Sequence, residues 1–318
     1  MAQDATGYLW NLPNYSGQLF TADAINTPIL SALGGLTGGG LQTENFVFPV
    51  TSEYDFPAAA QPERTEVQTL EAPAPVHAVR TQVTNVCQVF DQAVRLTYEK
   101  MSNRGRLSGI NTVGQTNNIA DELAWQINYN LQIIARNVEY TILRGAHQEA
   151  NNENTANKTR GIGAAVALSG GTRVNADSGA LTRAMLQELW REMFDAGAMF
   201  MNPVLICGGY QKQAISDIYG YAPESRNVGG LNIQQIETDF GNIGVMPAHR
   251  FALSTSILCV DMSLMAPVFQ PVPGKGNFFY EPKNQPGAAE GGILYGKFGL
   301  DHGPAFALGE IYGLDDGS

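Results

Sequence analysis

With 318 residues and a mass of 34.2 kDa, the chain is long enough for one large domain or two closely joined ones, and two that share strands are expected. A net charge of −11 and a pI near 4.8 argue against tight binding to phosphate backbones, because that affinity comes from clustered Lys and Arg. Charged residues are only 15% of the chain, against about 25% in an average soluble domain, which implies either a surface largely covered by partners or a glycine-rich β protein with neutral loops.

The opening Met1-Ala2-Gln3-Asp4 has no basic stretch followed by an apolar one, so no secretory signal is expected there. The longest apolar runs, 164–168 and 204–207, fall far short of the roughly 18 residues of a membrane span. Residues 1–43 read as an arm in which Asn, Gly and Pro are mixed with Trp10, Tyr15 and Phe20, and a short helix is predicted over 23–33, ended by Gly34-Gly35. Such a segment is too polar for a core and too apolar to float free, so it needs a surface outside itself.

From residue 44 the pattern turns to strand, with Phe46, Phe48 and Val50 on one face. Residues 64–70 alternate, 71–75 turn through two prolines, and 76–86 alternate again, which predicts a long β-ribbon. Val67, Val79 and Val83 are almost its only large apolar residues, and an isolated hairpin is marginal in water, so the ribbon must lie on another surface. A ribbon that leaves its own domain reads as an assembly device, with a catalytic lid as the alternative.

Between 119 and 147, Ile119, Leu123, Ile127, Leu131, Ile134, Val138 and Ile142 recur at spacings of three and four, predicting one long helix with a loop at 151–158 beyond it. Thr182 is placed to cap a second amphipathic helix that stops at Gly197, and a buried strand follows at 204–207. A short helix over 210–221 then leads into strands at 231–237, 243–246, 251–261, 266–272 and 305–312, making the class α+β.

Motifs that would carry chemistry are weak. Gly291-Gly292-Ile293-Leu294-Tyr295-Gly296-Lys297 has the spacing of a phosphate loop, but Phe298 stands where Ser or Thr should hold magnesium and no helix opens after it. Gly161-Ile162-Gly163 lacks the third glycine of a dinucleotide turn. His77, His147, His249 and His302 have neither helical nor zinc-ligand spacing, so no metal is expected. Cys87, Cys207 and Cys259 sit in apolar runs and read as buried, unpaired thiols of a reducing compartment. Asp121-Glu122 reads as a helix-start pair, Asp315-Asp316 as part of a frayed tail, and Met193, Met199 and Met201 with Phe194 and Phe200 as core or interface filler. No catalytic residue and no cofactor is expected.

Several blocks carry a family resemblance: Arg80 through Asn85, Gln88-Val89-Phe90, Val94-Arg95-Leu96-Thr97, Glu139-Tyr140-Thr141-Ile142-Leu143-Arg144-Gly145 and Arg160-Gly161-Ile162, then Asp239-Phe240-Gly241, Pro247-Ala248-His249-Arg250-Phe251, Cys259-Val260-Asp261 and Gly309-Glu310-Ile311-Tyr312-Gly313-Leu314. In this order the chain resembles tailed-bacteriophage major capsid proteins. The resemblance implies the HK97-type α+β fold, with an N-terminal arm (1–43), an extended β-ribbon or E-loop (44–90), a peripheral domain (91–181 and 268–318) whose spine helix covers about 119–147, and an axial domain (182–267). It further implies self-assembly into pentamers and hexamers of an icosahedral head that encloses double-stranded DNA without sequence-specific binding. The ribbon would lie across one neighbour and the arm would clasp another. Assembly would take place in the host cytoplasm with a portal and a separate scaffolding protein, with or without decoration proteins, and no membrane. Some relatives cross-link through a ribbon lysine, and 51–86 contains none, so no such bond is expected.

Arg64 and Arg80 on the ribbon and Arg226 in a Gly-bounded loop are the candidates for inter-subunit ion pairs, against the alternative of solvated surface arginines. Three rival readings stand beside the capsid: an encapsulin-like cargo shell, a tail or baseplate component, and a soluble α+β enzyme whose site is assembled from scattered residues.

Overall fold

The computed structural model describes residues 26–36, 39–52, 59–75, 77, 82–102, 122–219, 225–228, 231–248 and 253–317. In chain order these form α1 (Pro28–Ala32), β1 (Leu41–Gln42), β2 (Val47–Pro49), β3 (Thr84–Val86), β4 (Gln88–Thr97), α2 (Tyr98–Ser102), α3 (Glu122–Arg144), α4 (Ile162–Ser169), β5 (Thr172–Asn175), α5 (Arg183–Asp195), β6 (Pro203–Cys207) and α6 (Gly209–Tyr219). There follow β7 (Ser225–Val228), β8 (Leu231–Thr238), β9 (Gly241–Pro247), β10 (Ser256–Asp261), β11 (Ala266–Phe269), β12 (Phe278–Pro282), β13 (Ala289–Asp301) and β14 (Leu308–Tyr312).

The apolar stripe read from the sequence makes α3, whose 23 residues span about 35 Å at 1.5 Å each. Ile134, Val138 and Ile142 are buried on its inner face, while Trp125 and Tyr129 stack on each other outside. The helix ends at Arg144, short of the predicted 147, because the chain returns against Gly145: the Gly161 N–H donates to the Gly145 carbonyl at 2.9 Å. The predicted residues 119–121 lie outside the described ones.

Beneath α3 a five-stranded sheet is built around β13. One edge of β13 pairs along its length with β4, from Ala289↔Thr97 to Phe298↔Gln88. The other edge is shared by β12 and β11, and β1 adds to β11 in parallel. The Gly291-to-Lys297 run is therefore a strand interior, and its glycines serve close packing: a Cβ at Gly296 would run into the Phe278 ring.

A seven-stranded mixed sheet, in the order β5-β14-β10-β6-β9-β8-β7, forms the second layer. β6 and β10 are buried at every position, as a strand covered on both faces must be. Val204, Ile206, Leu258 and Val260 face α3 and α4, whereas Leu205, Cys207, Ile257 and Cys259 face α5 and α6. The Thr182 hydroxyl caps α5 by accepting the Met185 N–H at 3.4 Å, as its position predicted. Most strands of this sheet come from 182–267, but β5 and β14 come from the flanking segments, so the two layers share one core.

The ribbon departs from its expected form. Its root is a two-stranded sheet in which Val47↔Val86, Phe48↔Asn85 and Pro49↔Thr84 pair, but residues 64–70 are not a strand. They form a turn and a 3₁₀ helix, Gln68–Leu70, in which local capping sets the backbone; of the predicted partner strand, 76 and 78–81 lie outside the described residues. In the arm the described part of the predicted helix is α1, which starts on Pro28 and ends where Gly34 and Gly35 take positive φ, while 23–25 lie outside the described residues. The Phe46, Phe48 and Val50 face is only partly buried: Phe48 and Val50 pack with Cys87 and Val268, while Phe46 is exposed.

Candidate assembly surfaces

Both strands of the ribbon leave the body through one buried polar node. Thr51, just past β2, donates its N–H and hydroxyl to the Asp301 carboxylate at 3.0 and 2.7 Å. Across from it Asn85, fully buried in β3, donates its amide to the carbonyls of Leu300 and Arg160 at 2.7 and 3.2 Å and accepts the Arg160 N–H at 2.8 Å. The Arg160 guanidinium reaches back to the Thr84 carbonyl at 3.3 Å. Buried amides and carboxylates persist only when satisfied, so these bonds fix the two strands to the end of β13 and set the direction in which the ribbon leaves. His302 lies against the same node, and burial, with Arg160 beside it, keeps its pKa below the ordinary value.

At the far end the tip is folded on itself. Thr65 and Gln68 form a reciprocal capping box, with the Thr65 N–H on Gln68 Oε1 at 3.0 Å and the Gln68 N–H on Thr65 Oγ1 at 3.4 Å. Arg64 Nη2 donates to the carbonyls of Gln68 and Glu71 at 2.5 and 2.9 Å, closing the turn from the other side. Val67 and Leu70 are left 75% and 87% exposed. Thr65-x-x-Gln68 was the signal for this turn, and the period-two alternation masked it.

The arm is anchored by a residue that pattern reading passed over. Glu139 of α3 is fully buried and accepts the N–H groups of Ile29 and Leu30 at 3.1 and 2.7 Å, at the start of α1. Burial raises its carboxyl from 4.5 to about 7, although the two donors pull the other way. A carboxylate bordering the apolar stripe of α3 was the available signal.

Of the three arginines named from the sequence, Arg64 sits at the ribbon tip bonded to its own turn. Arg80 lies outside the described residues. Arg226 is in β7, where its backbone pairs with Ile233 of β8, and its side chain is outside the description.

All three cysteines are buried, and burial pushes each thiol up to about 12, which keeps them protonated. His77 and His147 are exposed and His302 is buried, while His249 lies outside the described residues. Glu122 opens α3 and pairs with Lys100 at 3.2 Å. Met193 is core, but Met199 and Met201 are 77% and 70% exposed. Among the described residues no group of His, Cys, Asp and Glu could hold a metal ion, and no helix is long and apolar enough to cross a membrane.

The family model for the SU10 major capsid protein matches residues 2–315. Among solved structures, the chain is similar to the SrpI encapsulin of Synechococcus elongatus, with 14% identity over 96% of this chain and 94% of that one and a TM-score of 0.60. It is similar to the capsid of cyanophage A-1(L), with 12% identity over 95% and 97% and a TM-score of 0.60. The capsid of Myoviridae phage XM1 gives 10% identity over 95% and 97% and a TM-score of 0.54. At these identities the likeness shows a shared shell-protein fold. No curated protein matches in sequence.

Proposed function

The chain belongs to the SU10 major capsid protein family, and from that premise we propose that its copies assemble as pentamers and hexamers into an icosahedral head that encloses double-stranded DNA. Membership makes it a structural shell subunit of the phage virion and not an enzyme. The observation that carries the proposal is the ribbon, clamped at its root by Asn85 and Asp301 and ending in a preformed tip whose apolar residues point away from any core. Among the described residues the hydrogen bonds of 64–71 stay within the tip, and Val67 and Leu70 are exposed for contact with another copy.

The proposed division is an arm (1–43), a ribbon (44–90), a peripheral domain (91–181 and 268–318) and an axial domain (182–267). The five-stranded sheet with α3 supports the peripheral assignment, and α5, α6 and the strands β6 to β10 support the axial one; β5 and β14 then act as the joint between them. Arg64, Arg80 and Arg226 are proposed to pair with carboxylates of neighbours. Among the described residues Arg64 bonds its own turn through Nη2, which leaves Nη1 to donate to such a carboxylate. A portal, a separate scaffolding protein and decoration proteins are proposed partners, with assembly in the host cytoplasm.

The likeness to an encapsulin favours one second reading, a shell that holds protein cargo. Nuclease treatment of purified particles, followed by analysis of what they contain, separates the two. Protected double-stranded DNA is the expected result, and particles filled with a cargo polypeptide and free of DNA would replace the head reading with the cargo shell.

A further inference from the structure

The main core is open along an edge. Leu36, Ile127, Ala135, Phe278 and Tyr280 pack against it but are only partly buried, and with Leu131, itself 37% exposed, they line a groove between α1, α3 and β12. The walls are preformed. Glu139 holds α1 on α3 through the Ile29 and Leu30 N–H groups, and the Phe278 ring stands edge-on to Phe269 at 6.3 Å between centroids, where only a glycine at 296 makes room for it. The polar side chains of the lining are Thr27, Ser31 and Gln132, and among the described residues none that lines the groove is charged. An apolar, neutral groove marks a docking surface and selects an uncharged occupant, because an ion brought into it loses its hydration without gaining a partner.

The chain carries a segment of matching character beside it. Residues 5–22 hold no charged side chain, bounded by Asp4 and Asp23, and include Tyr8, Trp10, Leu12, Tyr15, Leu19 and Phe20. Only residues 23–26 separate this stretch from Thr27, which already lines the groove. From Ile127 to Ala135 the groove follows about 12 Å of α3, well within reach of such a stretch. So short a tether gives an effective concentration in the millimolar range, which any free competitor must exceed.

We propose that residues 5–22 seat in this groove on their own copy. The surface that the arm needs is then supplied by the α1–α3–β12 corner of the same chain, in place of the neighbour that the family resemblance implies, and the aromatic side chains of the arm close the open edge of the core. The seat belongs to a single copy and stands whether or not shells form.

The test places a photo-activatable residue at Leu131 of the full chain, with unlabelled and isotope-labelled copies mixed before illumination. Cross-links to residues 5–22 that join only like-labelled copies are the expected result. Cross-links joining mixed labels would give the groove to a neighbour's arm, cross-links to another protein would give it to a separate partner, and cross-links that miss 5–22 would leave the arm elsewhere; each of these overturns the proposal. Leu131→Glu is the second variant. Glu suits an exposed helix position, so melting is expected to stay parental, while chymotryptic cleavage at Tyr8, Trp10, Tyr15 and Phe20 quickens at least about fivefold. Parental cleavage rates in that variant would equally overturn the proposal.

Discussion

Glu139 concentrates the attachment of the arm on one side chain. Replacing it by Ala leaves the Ile29 and Leu30 N–H groups without their acceptor in a buried place, a loss of about 1–3 kcal/mol in the docking of α1. Hydrogen exchange at residues 27–36 reads this directly, and faster exchange there with an unchanged core is the expected outcome. The pH dependence has a definite sign. Docking raises the carboxyl from 4.5 to about 7, so the docked arm binds the proton more tightly than the released one. The contribution is full below the ordinary carboxyl value and is lost as pH rises through about 7. Limited proteolysis at the arm should therefore be slower on the acid side of pH 7 than on the alkaline side, and Glu139→Gln should abolish the difference. Proteolysis that quickens on acidification would contradict this. At this scale the sequence is least transparent: the charge pattern says nothing of a carboxylate whose donors lie over a hundred residues away.

Among its described residues the ribbon is fixed at the root and folded on itself at the tip. Asn85→Ala removes four hydrogen bonds from a buried position and strands the Leu300, Arg160 and Val86 groups, at a cost of about 2–4 kcal/mol. A drop in melting temperature together with poor assembly is expected, and a variant that melts like the parent would show the node to be dispensable. The tip behaves differently. Thr65→Ala with Gln68→Ala takes away the capping box, which costs about 1 kcal/mol locally, so melting should stay put while assembly weakens and resonances of 64–71 lose dispersion. The contrast between α3 and this tip explains what pattern reading reaches. In α3 the buried stripe is long, and tertiary packing and local propensity agree, so periodicity finds it to within a few residues. At 64–70 the alternation is that of a strand, yet no strand pairs with it among the described residues, and the short-range Thr65–Gln68 bonds decide the backbone. β13 was obscured for the opposite reason: its glycines, needed for the close approach of the Phe278 ring, resemble a phosphate loop when read without their neighbours. α4 is apolar on every side and shows no amphipathic period; Ile162, Ala165 and Val166 bury against α3 and the large sheet, while Leu168 stays exposed.

For the whole molecule, the low charge, the acidic balance and the arm-ribbon-helix order carried the family identification, because no catalytic constellation competed with them. The same features bear on how the shell holds together. With no lysine in 51–86, the account expects particles to dissolve in hot detergent to one band at the monomer mass, held until then by many weak contacts acting together. A ladder of covalent multimers would show a cross-link of another chemistry. The central claim is that this chain is itself the shell, and cryo-electron microscopy of purified particles tests it most directly. The account predicts closed icosahedral particles whose density traces this fold in rings of five and six, each ribbon lying on an adjacent copy and duplex DNA inside. Discrete monomers or dimers under assembly conditions, or open tubes and rings, would contradict it.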